Sequence, residues 1–202
     1  MAKHDWKKDL KHLYLPKPGP FAFVDVPPMQ FLMIDGHGDP NISPDYQDTF
    51  TALYSVAYGI KFGVKSLGIE FSVAPPEGLW WSRGTSLDLT DKSDWDWTMM
   101  IMLPDEITAA QFQKARAEAV QKKGLPVIEQ VHLETYHEGL SVQVMYLGSY
   151  SDESPTILAM HQFIAEQGYV LNGKHHEIYI GDPRRSAPDK LKTVIRQPVR
   201  KA

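Results

Sequence analysis

Cysteine is absent from the 202 residues of this chain. That excludes a disulfide framework, a thiolate nucleophile and a thiolate-bound metal. Long apolar runs are missing too: no stretch reaches the ~18 residues a membrane-crossing helix needs. The N-terminal Met1-Ala2-Lys3-His4-Asp5-Trp6-Lys7-Lys8 has no apolar leader. No membrane partner is expected, and a cytoplasmic location is the expectation. Positive charge is not in surplus either. The formal net charge is −4 and basic residues are scattered except at the two ends, so no nucleic-acid partner is expected.

Several catalytic signatures are also lacking. There is no GxSxG elbow and no HExxH helix, and Gly36-His37-Gly38-Asp39 lacks the lysine and full glycine pattern of a phosphate loop. His132, Glu134, His137, Glu138, His175 and His176 are metal-ligating types, but the first four gather at a predicted turn. Neither a metal nor a cofactor is expected.

What is present is an ordinary globular composition rich in rings, with 43% hydrophobic and 11% aromatic residues, long enough for a proper core. The stretch His175-His176-Glu177-Ile178-Tyr179-Ile180 alternates as a strand does, with His175, Glu177 and Tyr179 on one face and His176, Ile178 and Ile180 on the other. Gly181-Asp182-Pro183 ends it.

Around it the chain alternates strands and helices. A short basic helix is expected from Asp5 to Leu13, and a buried strand from Met29 to Asp35. Ser43-Pro44 opens a helix to about Ile60, and Thr108 caps another that ends at Gly124. Strands are predicted at Ile69–Ala74 and Asp94–Leu103. Val131–His137 and Ser141–Leu147 read as a hairpin around Glu138-Gly139. Ser154-Pro155 repeats the capping device for a helix to Gln167, and a last strand runs from Leu191 to Arg196.

The order strand, glycine, Ser-Pro helix, strand, strand occurs twice. Ile69 to Pro76 aligns without gaps on His176 to Pro183, with Glu70 on Glu177 and Gly36 opposite Gly148. An α+β fold of duplicated βαββ modules follows, with pseudo-twofold symmetry and a central ligand cleft. One domain, 1–202, would comprise a first module at about 21–105, a linking helix at 106–124 and a second module at about 130–199.

Tyr146-Leu147-Gly148-Ser149-Tyr150, His176 to Pro183, and Val194-Ile195-Arg196-Gln197-Pro198-Val199 resemble, in order and spacing, motifs of the GyrI-like small-molecule-binding family. Glu77-Gly78-Leu79-Trp80-Trp81 is similar to the tryptophan-bearing segment of its stand-alone branch. The family includes effector-binding halves of AraC- and MerR-type multidrug regulators. The resemblance implies paired βαββ (SHS2-like) modules around a hydrophobic cleft with one acid inside, which falls on Glu177. Residues 1–20 are too few for a helix-turn-helix, so direct transcriptional control is not expected.

A cleft walled by rings suits flat, apolar or cationic ligands. Trp80, Trp97, Tyr54, Tyr58, Tyr150, Tyr179 and Glu77 are the candidate ligand contacts, with Glu177 and Tyr146 the candidate catalytic pair. Burial among rings would raise the Glu177 pKa and fit it for acid–base work or for neutralising a cation. The stand-alone branch resembles hydrolases of strained cyclopropane rings in planar natural products, where a tyrosine hydroxyl (Tyr146 or Tyr179) would support the developing phenolate. Bland alternatives compete at several positions. Trp95 and Trp97 fit a core as well as a ligand wall, Trp80 and Trp81 face opposite sides of a strand, and Tyr150 can simply hold its loop. A non-catalytic binder or sensor, and a protein-interaction role such as shielding gyrase, stay open beside the enzyme.

Overall fold

A computed structural model describes residues 2–82, 87 and 91–202. The N-terminal segment forms strand β1 (Ala2–His4) and two short helices, α1 (Trp6–Asp9) and α2 (Lys11–Tyr14). Asp5 caps the first by accepting the Lys7 N–H, and Leu10, at φ −119 and ψ 30, breaks the single helix expected here. Trp6, Leu13 and Tyr14 are buried, so this segment is packed rather than solvated.

The rest alternates as β2 (Ala22–Val26), β3 (Met29–His37), α3 (Pro44–Val64), β4 (Ile69–Phe71), β5 (Pro76–Ser82) and β6 (Trp95–Leu103). After α4 (Ala109–Lys123) come β7 (His132–Tyr136), β8 (Gly139–Leu147), α5 (Ser154–Glu166), β9 (Tyr169–Leu171), β10 (His175–Tyr179) and β11 (Lys192–Lys201). The α4 ends follow their caps: Thr108 and Gln111 form a reciprocal capping box, and Gly124 stops the helix at φ 60. Helix α3 outruns the expected end at Ile60, because nothing stops it before the turn at Gly68. At α5 the expected cap, Ser154, is instead the first helical residue. Glu153 takes the cap position, its carbonyl accepting the Thr156 and Ile157 N–H groups. No helix among the described residues is long and apolar enough to cross a membrane.

Eight strands form one antiparallel sheet in the order β2-β8-β11-β10-β5-β6-β3-β7, with β9 added along β11. Strands β7 and β8 are consecutive but do not pair, contrary to the expected hairpin; β7 lies against β3, and β8 lies between β2 and β11. The reason is topological. Residues 27–28 link β2 to β3 and residues 137–138 link β7 to β8, so each short link carries the chain from one half of the sheet to the other. A flat sheet would hold β2 and β3 about 29 Å apart, at ~4.8 Å per strand. The link from Val26 to Met29 spans at most ~11 Å. The sheet must therefore curl until its two ends approach each other. Strand β4 sits apart, in a two-stranded parallel pair with β1, so Glu70 is not the sheet counterpart of Glu177. The strand beside β10 is β5, which places Gly78 opposite Glu177.

Glu138, in the second link, reaches His176 in the middle of the sheet, so the His176 face is the concave one. A polar network fills it. His176 lies between Glu138 (3.0 Å) and Glu77 (2.9 Å), and the buried Tyr14 hydroxyl donates to Glu77 at 2.6 Å. Arg196 donates to Glu138, to the Gln143 amide oxygen and to the Leu13 carbonyl. Burial alone would lower the His176 pKa, but Glu138 and Glu77 outweigh it and hold the imidazolium at about 9. Burial would likewise raise the Glu138 pKa, yet the cations His176 and Arg196 pull it down to about 2. The network thus fixes β10 from behind.

On the convex face, α3 packs Leu53, Val56 and Ile60 against β3 and β6. Helix α5 packs Ile157, Met160 and Ile164 over Val142, Val144 and Ile195 of β8 and β11. The two helices cover the two wings of the sheet and leave the central strands, β5 and β10, between them.

Candidate functional site

Along β10 the alternation is the expected one. His176 and Ile178 point into the concave interior, while His175, Glu177 and Tyr179 face the groove between α3 and α5. The Glu177 side chain is 14% exposed. One of its oxygens accepts the Tyr179 hydroxyl at 2.8 Å, and the other lies 3.3 Å from His175 Nε2. Trp80 Nε1–H in turn donates to the Tyr179 hydroxyl at 3.2 Å. Gly78 is needed here: a Cβ on it would sit 2.7 Å from the Trp80 indole nitrogen, so glycine leaves room for the ring to lie across the backbone opposite Glu177.

Rings close in from both sides. Tyr46, in the first turn of α3, packs against Trp80 at 6.0 Å and edge-on to Trp97 at 5.3 Å, and its hydroxyl meets Tyr179. Tyr150, ahead of α5, packs edge-on to Tyr179 at 5.4 Å. Burial and then the nearby carboxylates push the Tyr150 phenol up to about 12 and the Tyr179 phenol well above its ordinary range, so both hydroxyls stay protonated donors. Tyr54 stands further out, beside Asp182 and Arg184 of the loop after β10.

Four of the expected site residues lie elsewhere. Glu77 is fully buried on the concave face, bonded to Tyr14 and His176, because the pleat turns it away from its neighbour Gly78. Tyr146 donates to the Ser149 carbonyl at 3.1 Å and lies under Gly148, where a Cβ would meet its oxygen at 2.5 Å; it holds a turn. Trp97 is core, with its ring under Gly36 and its N–H on the Gly38 carbonyl. Tyr58 is 43% exposed and lies one turn further along α3, between Tyr54 and Phe62. Glu177, Tyr179, Trp80 and Tyr150 are brought together, with Tyr54 toward the loop.

The structure adds residues that the sequence patterns did not single out. Glu153 is 3% exposed with Oε1 unpartnered. Burial first, and then the Glu177 charge, push its carboxyl up to about 9. Its place directly before Ser-Pro was the available signal, since that is a cap position. Beyond Glu177 along the groove lies a cavity of about 250 Å³, bordered by Trp80, Trp81, His161, Lys174, His175 and Gln197. His161 Nε2 and His175 Nδ1 are buried without partners. Burial, reinforced by His175, pulls the His161 pKa down to about 4, so that ring is neutral at pH 7. Lys174 Nζ stands 3.6 Å over the Trp81 ring, a cation–π contact.

Replacing Glu153 by Gln is expected to stabilise the protein at pH 7 by about 1–3 kcal/mol. The folded carboxyl titrates at about 9 against 4.5 when free, so the folded state holds an extra proton across that window. Wild-type stability from this group therefore falls as pH rises from 4.5 toward 9. Melting temperatures at pH 4, 7 and 9 should show no gain at the first and a growing gain at the others.

The GyrI-like small molecule binding domain model matches residues 20–200 of this chain. An uncharacterised conserved protein of Listeria innocua is 40% identical, covering 97% of this chain and 99% of that one, with a TM-score of 0.89. A hydrolase of Listeria innocua is 38% identical over 98% of this chain and 100% of that one, with a TM-score of 0.86. The EcmrR C-terminal domain has the same fold at 14% identity, TM-score 0.58, over 91% of this chain and 98% of that one. No match is found among curated proteins.

Proposed function

The chain belongs to the GyrI-like small-molecule-binding family, and from that membership we propose that the groove between α3 and α5 binds a planar, hydrophobic molecule and hydrolyses a strained ring in it. The observation that carries this is Glu177: a carboxylate with a small opening to solvent, walled by Trp80, Tyr46, Tyr150 and Tyr179. The hydrolase relative at 38% identity supports the enzymatic part. Two βαββ modules, at about 21–105 and about 130–199, related by a pseudo-twofold axis at the β10–β5 seam, would explain why the groove falls there.

In a spiro-cyclopropane conjugated to a ring carbonyl, water is the nucleophile. Its oxygen bonds to a cyclopropane carbon as the strained C–C bond breaks, and that electron pair moves through the conjugated ring to the carbonyl oxygen, giving a phenolate. The proton lost by water passes to the Glu177 acid–base centre and then to the phenolate. The Tyr179 hydroxyl, whose single proton goes to Glu177 in the free site, turns from it to donate to the developing charge. Ring strain lowers the barrier, so positioning with one acid–base group is sufficient chemistry.

A second role is favoured by the same rings: a carboxylate among aromatic faces also suits a flat organic cation held without reaction. Incubation with cyclopropane-bearing alkylators and with planar cations separates the two. Hydrolysis yields, by mass spectrometry, a product heavier by one water at many turnovers per protein. Stoichiometric binding with unchanged compound would leave only the binding role.

A further inference from the structure

We propose that His175, whose ring borders the cavity beyond Glu177, is the base that takes the proton from the attacking water, and that Glu177 acts by orienting it. This rests on the hydrolytic role proposed above. The Glu177 carboxylate only accepts hydrogen bonds, and one oxygen is occupied by the Tyr179 hydroxyl at 2.8 Å. The other faces His175 Nε2 at 3.3 Å, so the imidazole proton sits on Nε2 and Nδ1 keeps a lone pair. That Nδ1 is buried without a partner, in a residue only 3% exposed, and the same ring borders the 250 Å³ cavity. A buried acceptor of this kind calls for an O–H or N–H donor in the cavity.

A carboxylate–imidazole pair of this form fixes the tautomer and stabilises the imidazolium that forms. The water's O–H bond breaks as its oxygen attacks the ring carbon; its proton goes to His175 Nδ1, and the imidazolium later protonates the phenolate. Trp80 lies opposite His175 across the β5–β10 pair and borders the cavity, so a flat ligand seated against it would present its strained ring toward this corner. The titratable groups facing His175 are Glu177 on its own strand, Lys174 just before it and His161 on α5. His161, whose Nε2 is also buried without a partner, borders the same cavity.

The test uses the full chain, a planar cyclopropane-bearing alkylator and the His175→Ala and His175→Phe variants. Both are expected to bind the alkylator within about threefold of wild type by fluorescence quenching, with turnover down at least 100-fold. The acid limb of the pH–rate profile should disappear in both. Free imidazole should restore part of the His175→Ala rate and none of the His175→Phe rate, which a merely structural loss would not allow. Should one variant fail to fold by circular dichroism, the other carries the comparison. Turnover within threefold of wild type in a folded variant overturns the role of His175 and leaves the hydrolytic function standing. Wild-type protein that hydrolyses no such compound removes both.

Discussion

Glu177→Gln is expected to lower turnover by about two to four orders of magnitude while the fold and ligand binding survive. Gln has the shape of Glu, and its amide oxygen can still accept the Tyr179 hydroxyl. Its NH₂ then faces His175 Nε2, which must become an acceptor. The imidazole proton moves to Nδ1, and the lone pair there is lost. No buried charge is stranded, and Glu153 loses the repulsion that helps push its carboxyl up to about 9. The melting temperature should therefore hold or rise as the rate collapses. Single-turnover kinetics with product analysis, beside thermal unfolding, provide the check. A variant that turns over normally removes Glu177 from the chemistry, and one that unfolds would mark it as a structural residue.

Arg196→Leu should show the reverse pattern, with a large loss of stability from a site that touches no ligand. The expected cost is about 3–5 kcal/mol, because a buried pair is broken on one side only. Glu138 loses its guanidinium partner, and the Gln143 amide oxygen and the Leu13 carbonyl are left buried without their donor. For a chain of this size ~10 °C of melting temperature goes with that loss. The acid side should suffer further. The wild-type Glu138 carboxyl, held at about 2, contributes stability that is present above its ordinary 4.5 and lost as pH falls through 2. Without Arg196 that window narrows from below, so acid unfolding should begin at a higher pH. Denaturant melts at pH 7 and pH 3 measure both effects.

The local devices were legible because each depends on neighbours in sequence. The β10 alternation, the Thr108 capping box and the Gly124 stop all lie where the residue pattern puts them. What could not be read depends on distant partners. Nothing in His132–Leu147 says that β7 and β8 part company, because the strands that claim them, β3 and β11, lie elsewhere in the chain. Glu77 looked like a cleft residue from its neighbours Gly78 and Trp80, yet the pleat and the N-terminal Tyr14 take it to the other side. Glu153 carries no pattern of its own; its burial is a consequence of where α5 begins. Trp97 and Trp80 are equally buried and divide by partner: Trp97 donates to the Gly38 carbonyl, while Trp80 donates to the Tyr179 hydroxyl.

The two-residue links at 27–28 and 137–138 have a consequence for how this chain can be taken apart. Each wing borrows its outermost strand from the far side of the sequence, β2 lying on β8 and β7 on β3. A cut in the region of α4 would send β2 away with one fragment and β7 with the other, so each piece would keep a strand whose berth is on its partner. Neither fragment is a self-sufficient lobe, and a split version can regain its shape only by re-threading both exchanged strands at once.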